Sequence, residues 1–394
     1  MSRFTLAMSS PLAGEGVGIK LRWFFCGIVL CGCCLAGQPV RAEVADHPCT
    51  KGPTNGTSIV VKNRDGWYAS APIDVALRLT LRDGKSAYHE GEIIPLELSF
   101  TASAKGKYAV DTRSYDRSGR LNLESFCVDP DKGRDPLEDY YDSGLFDGFV
   151  AGGIGQEQVL GQIPYLINEE LNEWRSLPPG SYRLQVASDR VAQIARGATG
   201  LGEGPVLVLS NTVTFQVIAA TPEWQAEQLS HAISMLDEQH PRLTQSEFEQ
   251  LEHAARVLRF LGSEAATREL ARRFWSHDRP AGSPHIPGVG YPVSEFYQSQ
   301  LGRSYWDFKA GLIASPHRVV AIEELISAID NPLRPATRNM AETLALLEIQ
   351  SKPEYKLPLR DSIGGDEWLK QRQAKVAAYN KIVETLGKRV TSTR

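Results

Sequence analysis

The sequence predicts a β-then-α chain, an antiparallel β-sandwich followed by an α-helical repeat or bundle, behind an export signal. Three observations predict it. Apolar residues recur with period two between Val75 and Val217, they recur at steps of three and four after Thr221, and a basic, then apolar, then small-residue stretch from Lys20 to Ala42 precedes both. Period two gives a strand one apolar face, and steps of three and four give a helix one apolar stripe.

The export signal comes first in chain order. Lys20 and Arg22 form its charged part, Trp23 to Gly37 its apolar part, and Val40-Arg41-Ala42 a small-residue cleavage site, so the mature chain would begin at Glu43. An apolar run this short is a poor fit to a hydrocarbon core of roughly 30 Å, which disfavours a permanent membrane span. Met1 to Ile19 make a long lead-in without twin arginines, and translation starting at Met8 or later would shorten it. Leu30-Cys31-Gly32-Cys33 resembles a lipobox, which gives a lipoprotein acylated at Cys33 as the alternative. Cys26, Cys31, Cys33 and Cys34 would leave with the signal. Cys49 and Cys127 remain, and an oxidising compartment favours a disulfide between them. It would close a loop of about 78 residues, stabilising by roughly 4 to 5 kcal/mol at most, and staple the polar leader, residues 43–70, to the sandwich.

Val75, Leu77, Leu79 and Leu81 alternate with polar or small residues, and Asp83-Gly84 turns the chain. Ile94, Leu96, Leu98 and Phe100 repeat the alternation, with Pro95 on the outward phase at an edge, a bulge or a strand start. Tyr182, Leu184 and Val186 follow Pro178-Pro179-Gly180, and Val213, Phe215 and Val217 follow Ser210-Asn211. Short half-buried strands between turn residues indicate two packed antiparallel sheets.

Gly91 to Phe100 resembles an early strand of bacterial immunoglobulin-like domains, and Leu177-Pro178-Pro179-Gly180-Ser181-Tyr182-Arg183-Leu184 resembles their late strand. The resemblance implies that Tyr182 hydrogen-bonds back across a corner. The chain is also similar, over most of residues 71–350, to uncharacterised exported bacterial proteins that join such a domain to HEAT-like helical repeats. Asp135-Pro136-Leu137-Glu138-Asp139-Tyr140-Tyr141, Leu171-Asn172-Glu173-Trp174 and Thr221-Pro222-Glu223-Trp224-Gln225-Ala226 carry that similarity. No catalytic motif comes with it. Residues 71–220 exceed the roughly 100 of a minimal domain of this kind, which places a loop-rich insertion at about 128–177.

From residue 221 to 394 the pattern is helical. Thr221-Pro222 opens a helix with Trp224, Leu229, Ala232, Ile233 and Leu236 on one stripe. Thr244-Gln245-Ser246-Glu247 has capping-box spacing before Phe248, Leu251, Ala254, Ala255, Leu258 and Leu261, and Gly262 stops that helix. Ser263 starts another, Ser315-Pro316 opens one that Asn331-Pro332 closes, Arg338 to Ile349 supplies its partner, and a last helix spans about Asp366 to Lys388. Successive short amphipathic helices suggest a HEAT-like stack; the lack of a clean period leaves a non-repetitive bundle as the alternative.

Candidate sites are sparse. A formal net charge of -4 and no basic block exclude a nucleic-acid footprint. Asp129, Asp131, Asp135, Glu138 and Asp139 could offer hard oxygen ligands, but their spacing is not that of an EF-hand, and a solvated acidic loop accounts for them. The eight histidines make no zinc signature, no Gly-x-Ser-x-Gly is present, and Gly152-Gly153-Ile154-Gly155 lacks the lysine of a P-loop. No cofactor motif is found. The densest aromatic segment holds Tyr291, Tyr297, Arg303, Tyr305 and Trp306, a possible binding surface on a helical stack, with core packing as the competing account. The expectation is an exported cell-envelope protein that binds a protein or other envelope macromolecule, with no stable membrane span after cleavage. Two alternatives stand beside it: a hydrolase with its site at the interdomain crevice, and a proteinase inhibitor presenting a sandwich loop.

Overall fold

The computed structural model describes residues 73–113, 121, 123–141, 145, 157–194, 201–237, 244–277, 303–331, 337–358 and 364–392. Among them, ten strands, with one four-residue helix at Glu138–Tyr141 between them, precede seven longer helices, so the N-terminal half is mainly β and the C-terminal half is α. The signal, Cys49, the glycines at 152–155, Tyr291 and Tyr297 lie outside the described residues.

Alternation fixes the first sheet. Strand β1 (Val75–Leu81) buries Val75, Leu77 and Leu79, and β3 (Pro95–Ala102) buries Leu96, Leu98 and Phe100. They pair antiparallel with Leu79 opposite Leu98, and β7 (Tyr165–Glu170) adds the third strand beside β3. A one-residue slip would turn three apolar side chains of β1 into water at about 1.5 to 3 kcal/mol each, so the register is pinned. Pro95 occupies the first position of its strand but is buried rather than outward, the strand start being where its missing amide is tolerated.

The second sheet is organised by β8 (Gly180–Ile194). Strands β10 (Val213–Ile218) and β9 (Leu201–Leu209) pair along one side of it, and β5 (Glu124–Asp129) and β4 (Tyr108–Asp111) along the other. The parallel strand β2 (Ala87–His89) extends the β10 end, and β6 (Glu157–Val159) extends β4. The two sheets share one core, where Leu79, Leu98 and Phe100 from the first meet Phe126, Tyr182, Leu184 and Phe215 from the second. Asn211 ties the sheets at their border: its Oδ1 accepts from the Leu79 amide at 2.8 Å and its Nδ2 donates to the Leu79 carbonyl at 3.0 Å. The Tyr182 hydroxyl donates to the Pro178 carbonyl at 2.6 Å, four residues upstream. Arg190 is fully buried, yet it is held by Glu124, by Glu169 at 3.1 Å and by the carbonyls of Asp111 and Arg113. Such a charge is tolerable in the interior because its donors are met.

The stretch 128–177, expected as a loop-rich insertion, is not loop throughout. It contains β6 and β7, and β7 is a full member of the first sheet. As an edge strand β7 buries only Ile167, so it carries no alternating signature.

Helices follow at once. They are α1 (Pro222–Asp237), α2 (Gln245–Leu261), α3 (Glu264–His277), α4 (Arg303–Ala314), α5 (Arg318–Ile329), α6 (Arg338–Gln350) and α7 (Gly365–Ser392). Thr244 and Glu247 form the reciprocal capping box at the start of α2, and Gly262 ends it with φ 63°. Thr337 caps α6 by accepting from the Met340 amide at 3.2 Å. Consecutive helices α1 and α2, α3 and α4, and α5 and α6 pack together, and α2 also packs on α4 and α3 on α5. Their core joins Leu258, Leu270, Phe274, Phe308, Leu325 and Leu344.

Candidate functional site

A cleft of about 370 Å³ lies where the sheets meet the helices. Its sheet wall is made by the turn His89–Glu92 and by the segments around Arg134 and Asn172–Leu177; its helical wall is the end of α2, the start of α3 and the end of α4.

Backbone chemistry explains why the walls approach so closely. Gly91 has φ 85°, and a Cβ there would stand 2.8 Å from the Phe260 carbonyl oxygen, so glycine lets the sheet turn rest on the end of α2. Asn172 holds that turn open from below. Its Oδ1 accepts from the Ile94 amide at 2.7 Å and its Nδ2 donates to the Glu92 carbonyl at 2.9 Å.

Three buried charges cross the junction. Arg259 of α2 donates to Glu173 at 2.7 and 2.8 Å and to Asp307 of α4 at 2.9 Å, and no side chain of the three exceeds 3% exposure. Burial disfavours the guanidinium charge, but the two carboxylates more than offset it and hold its pKa above the ordinary value. Arg256 adds a second cross-junction pair, 3.0 Å from Glu170. A third link is apolar: Leu137 packs with Ala310, Ile313 and Leu346, joined by Tyr140 and Trp306, whose ring centroids lie 5.6 Å apart.

At one flank of the cleft, His89 places Nδ1 3.2 Å from Glu92 and stacks on Trp224 at 4.5 Å. Burial pushes the Glu92 carboxyl up, but hydrogen bonds from Lys85 and from the His89 amide and ring outweigh this and hold it below its usual value. At the other flank, Arg134 and Ser176 face each other in an isolated antiparallel bridge, with N–H to O distances of 3.3 and 2.8 Å. Arg175 reaches Asp131 at 3.3 Å beside them. Ser315 and Thr267 share a 2.7 Å hydroxyl contact in the helical wall, and Ser315 also accepts from the His317 amide at 3.0 Å.

The expected candidate residues fall elsewhere. Trp306 is half-buried in the junction core, and Arg303 and Tyr305 lie in the first turn of α4. The carboxylates between 129 and 139 are dispersed: Asp129 pairs with Arg183, Asp131 with Arg175 and Asp139 with Arg318, while Asp135 accepts from the Leu137 amide. Among the described residues no group of three or more His, Cys, Asp or Glu is placed to hold a metal. Cys127 is half-buried on β5 against Ala187, Leu207 and Leu209. Sequence reasoning missed Arg259 and Asp307, although each is a charge set inside an apolar helical stripe, which was the available signal. No family model matches the chain, and no curated protein matches it in sequence.

Proposed function

We propose that the chain is an exported cell-envelope binding module, in which an immunoglobulin-like sandwich and a HEAT-like helical stack are locked together so that their shared cleft presents a fixed recognition surface to a protein or other envelope macromolecule. The observation that carries this reading is the buried Arg259, Glu173 and Asp307 triad. An arrangement of desolvated charges costs several kcal/mol per ion unless its geometry is right, so it specifies one relative placement of the two walls. The order of helix contacts, each helix on the next and α2, α3 and α4 also on the next but one, supports the stack. The Tyr182 to Pro178 hydrogen bond supports the sandwich type. A Cys49 to Cys127 disulfide and removal of residues 1–42 belong to the same proposal.

One observation favours a second reading. His89 lines the cleft with a carboxylate on its Nδ1, the relation of a general base to its orienting group. A hydrolase needs a nucleophile on the other nitrogen, and among the described residues none is within hydrogen-bond reach. The test places a photo-crosslinking residue at Gln225, on the cleft wall, in cells expressing the full chain. The expected result is a discrete macromolecular adduct that does not form from Lys381, an exposed position on α7. Turnover of ester, amide, glycoside or phosphodiester substrates by the purified protein, abolished in His89→Gln, would overturn the binding-module reading in favour of the hydrolase.

A further inference from the structure

Charge is unevenly distributed around the cleft. Three arginines, Arg134, Arg175 and Arg259, and two glutamates, Glu90 and Glu92, line it. Glu92 is already engaged by Lys85 and His89, and both glutamates belong to the turn that rests on the end of α2. Arg134 stands on the other flank, two residues from Pro136 and three from Leu137, which packs on α4.

Donors exceed acceptors at that flank. Arg134 is exposed, and its guanidinium has no partner among the described residues. Ser176 opposes it across the two-residue bridge. Directly opposed residues of an antiparallel pair raise their side chains from the same face, about 5.5 Å apart at Cα in a hydrogen-bonded pair, so the Arg134 and Ser176 side chains leave the bridge on one face. Arg175 supplies a second cation, only partly neutralised through a single 3.3 Å contact with Asp131. Deeper in the same cleft, the Nε–H of Arg259 is buried without an acceptor among the described residues. Glu173 and Asp307, which balance the rest of that guanidinium, are not part of the lining.

We propose that this flank is an oxyanion subsite, in which the Arg134 fork and the Ser176 hydroxyl take a carboxylate or phosphate group of the ligand while the apolar lining at Leu177, Leu270 and Pro316 covers its body. The inference rests on the reading of the cleft as a recognition site. A planar fork matches two oxygens at once, which a lysine ammonium cannot do. The cavity volume falls in the range of roughly 300 to 1,000 Å³ typical of ligand pockets, which suits a small anion-bearing molecule or the acidic end of a peptide.

Calorimetry on the purified full chain separates these sources with two probes, inorganic phosphate and an acetylated acidic tripeptide with a free C-terminus. The expected result is saturable binding of at least one probe at about millimolar Kd or tighter, weakened at least about tenfold in Arg134→Ala, less in Arg134→Lys, and about threefold in Ser176→Ala. Because the Arg134 side chain is exposed and has no partner among the described residues, its variants should melt as the wild type does, which keeps folding out of the comparison. Tighter peptide than phosphate binding assigns the site to a chain terminus or acidic side chain; the reverse assigns it to a free anion. Wild-type protein that binds neither probe at about 5 mM, or Arg134→Ala that binds as well as wild type, overturns the subsite. Either failure leaves the crosslinking result from Gln225 standing, so the two readings are decided separately.

Discussion

Arg259 ties the helices to the β half, because it faces two buried carboxylates from different parts of the fold. Replacing it by methionine would take the Arg259 charge away from the buried Glu173 and Asp307, a loss of about 3 to 5 kcal/mol. Glu173→Gln has a different arithmetic. The triad holds two carboxylates and one guanidinium, so removing the Glu173 charge leaves Arg259 and Asp307 as a neutral pair and keeps a hydrogen-bonding amide; the expected loss is about 1 kcal/mol. Urea unfolding of both variants checks the order, and equal losses would show that the Arg259 charge is not what the two carboxylates depend on. This cluster was only half legible beforehand. Arg259 and Asp307 are written inside apolar patterns where a charge stands out, but nothing in a linear pattern says that two such charges 48 positions apart, and a third from the β half, converge on one point.

At the scale of the element, Gly91 and Gly84 make a controlled comparison. Both have positive φ, 85° and 69°, but a Cβ at Gly84 would meet nothing within 4 Å, whereas at Gly91 it would press on the backbone of α2. Gly84→Ala should cost about 1 kcal/mol from conformation alone. Gly91→Ala should cost about 2 to 3 kcal/mol, the excess coming from separating the turn from the helix; thermal melts of the two variants read the difference. Elements with one wet face or a capping residue were legible: β1, β3 and β10 by alternation, α2 by Thr244 and Gly262. Elements without those marks were not. Strand β8 was legible at its start, from Tyr182, Leu184 and Val186, but not along its length, because it is buried without interruption from Leu184 to Ser188 and alternation stops where the strand becomes central; β9 contains Gly202, Gly204 and Pro205, which read as loop. Helix α4 was obscured by its aromatic content and by Gly311, whose missing side chain makes room for Leu270 at 2.7 Å.

For the molecule as a whole, acid is the informative stress. Burial would raise the Asp111 and Glu269 carboxyls, yet Arg113 for the first and Arg272 and Arg273 for the second hold both below their ordinary values. Glu92 behaves the same way. A carboxyl with a lowered native pKa binds its proton more readily when unfolded, so its stabilisation is complete above the unfolded value, about 4 to 4.5, and is lost as pH falls through the native value. Unfolding midpoints should therefore hold between pH 7 and 5 and fall below about pH 4.5, with a shallower fall in Glu269→Gln. Processing gives a second expectation. Intact mass should place the N-terminus near Glu43, and non-reducing peptide mapping should link Cys49 to Cys127; a free Cys127 thiol in envelope-purified protein would remove the disulfide. The order of halves, β then α, was readable because the hydrophobic period changes at one point in the chain. Their junction was not, since the cleft draws its walls from segments between residues 89 and 316.

Strand β8 also sets a timetable. Four strands hydrogen-bond to it, and two of them, β4 and β5, precede it by tens of residues. Before β8, β4 can pair only with the three-residue β6 and β5 has no strand partner among the described residues, so the sheet lacks its organising strand until residues 180–194 are in place, and closing such long loops is slow. Hydrogen exchange during refolding should protect the amides of α2 and α3 before those of β4 and β5. Until then β5 waits as open chain, a state in which a polypeptide can still be threaded.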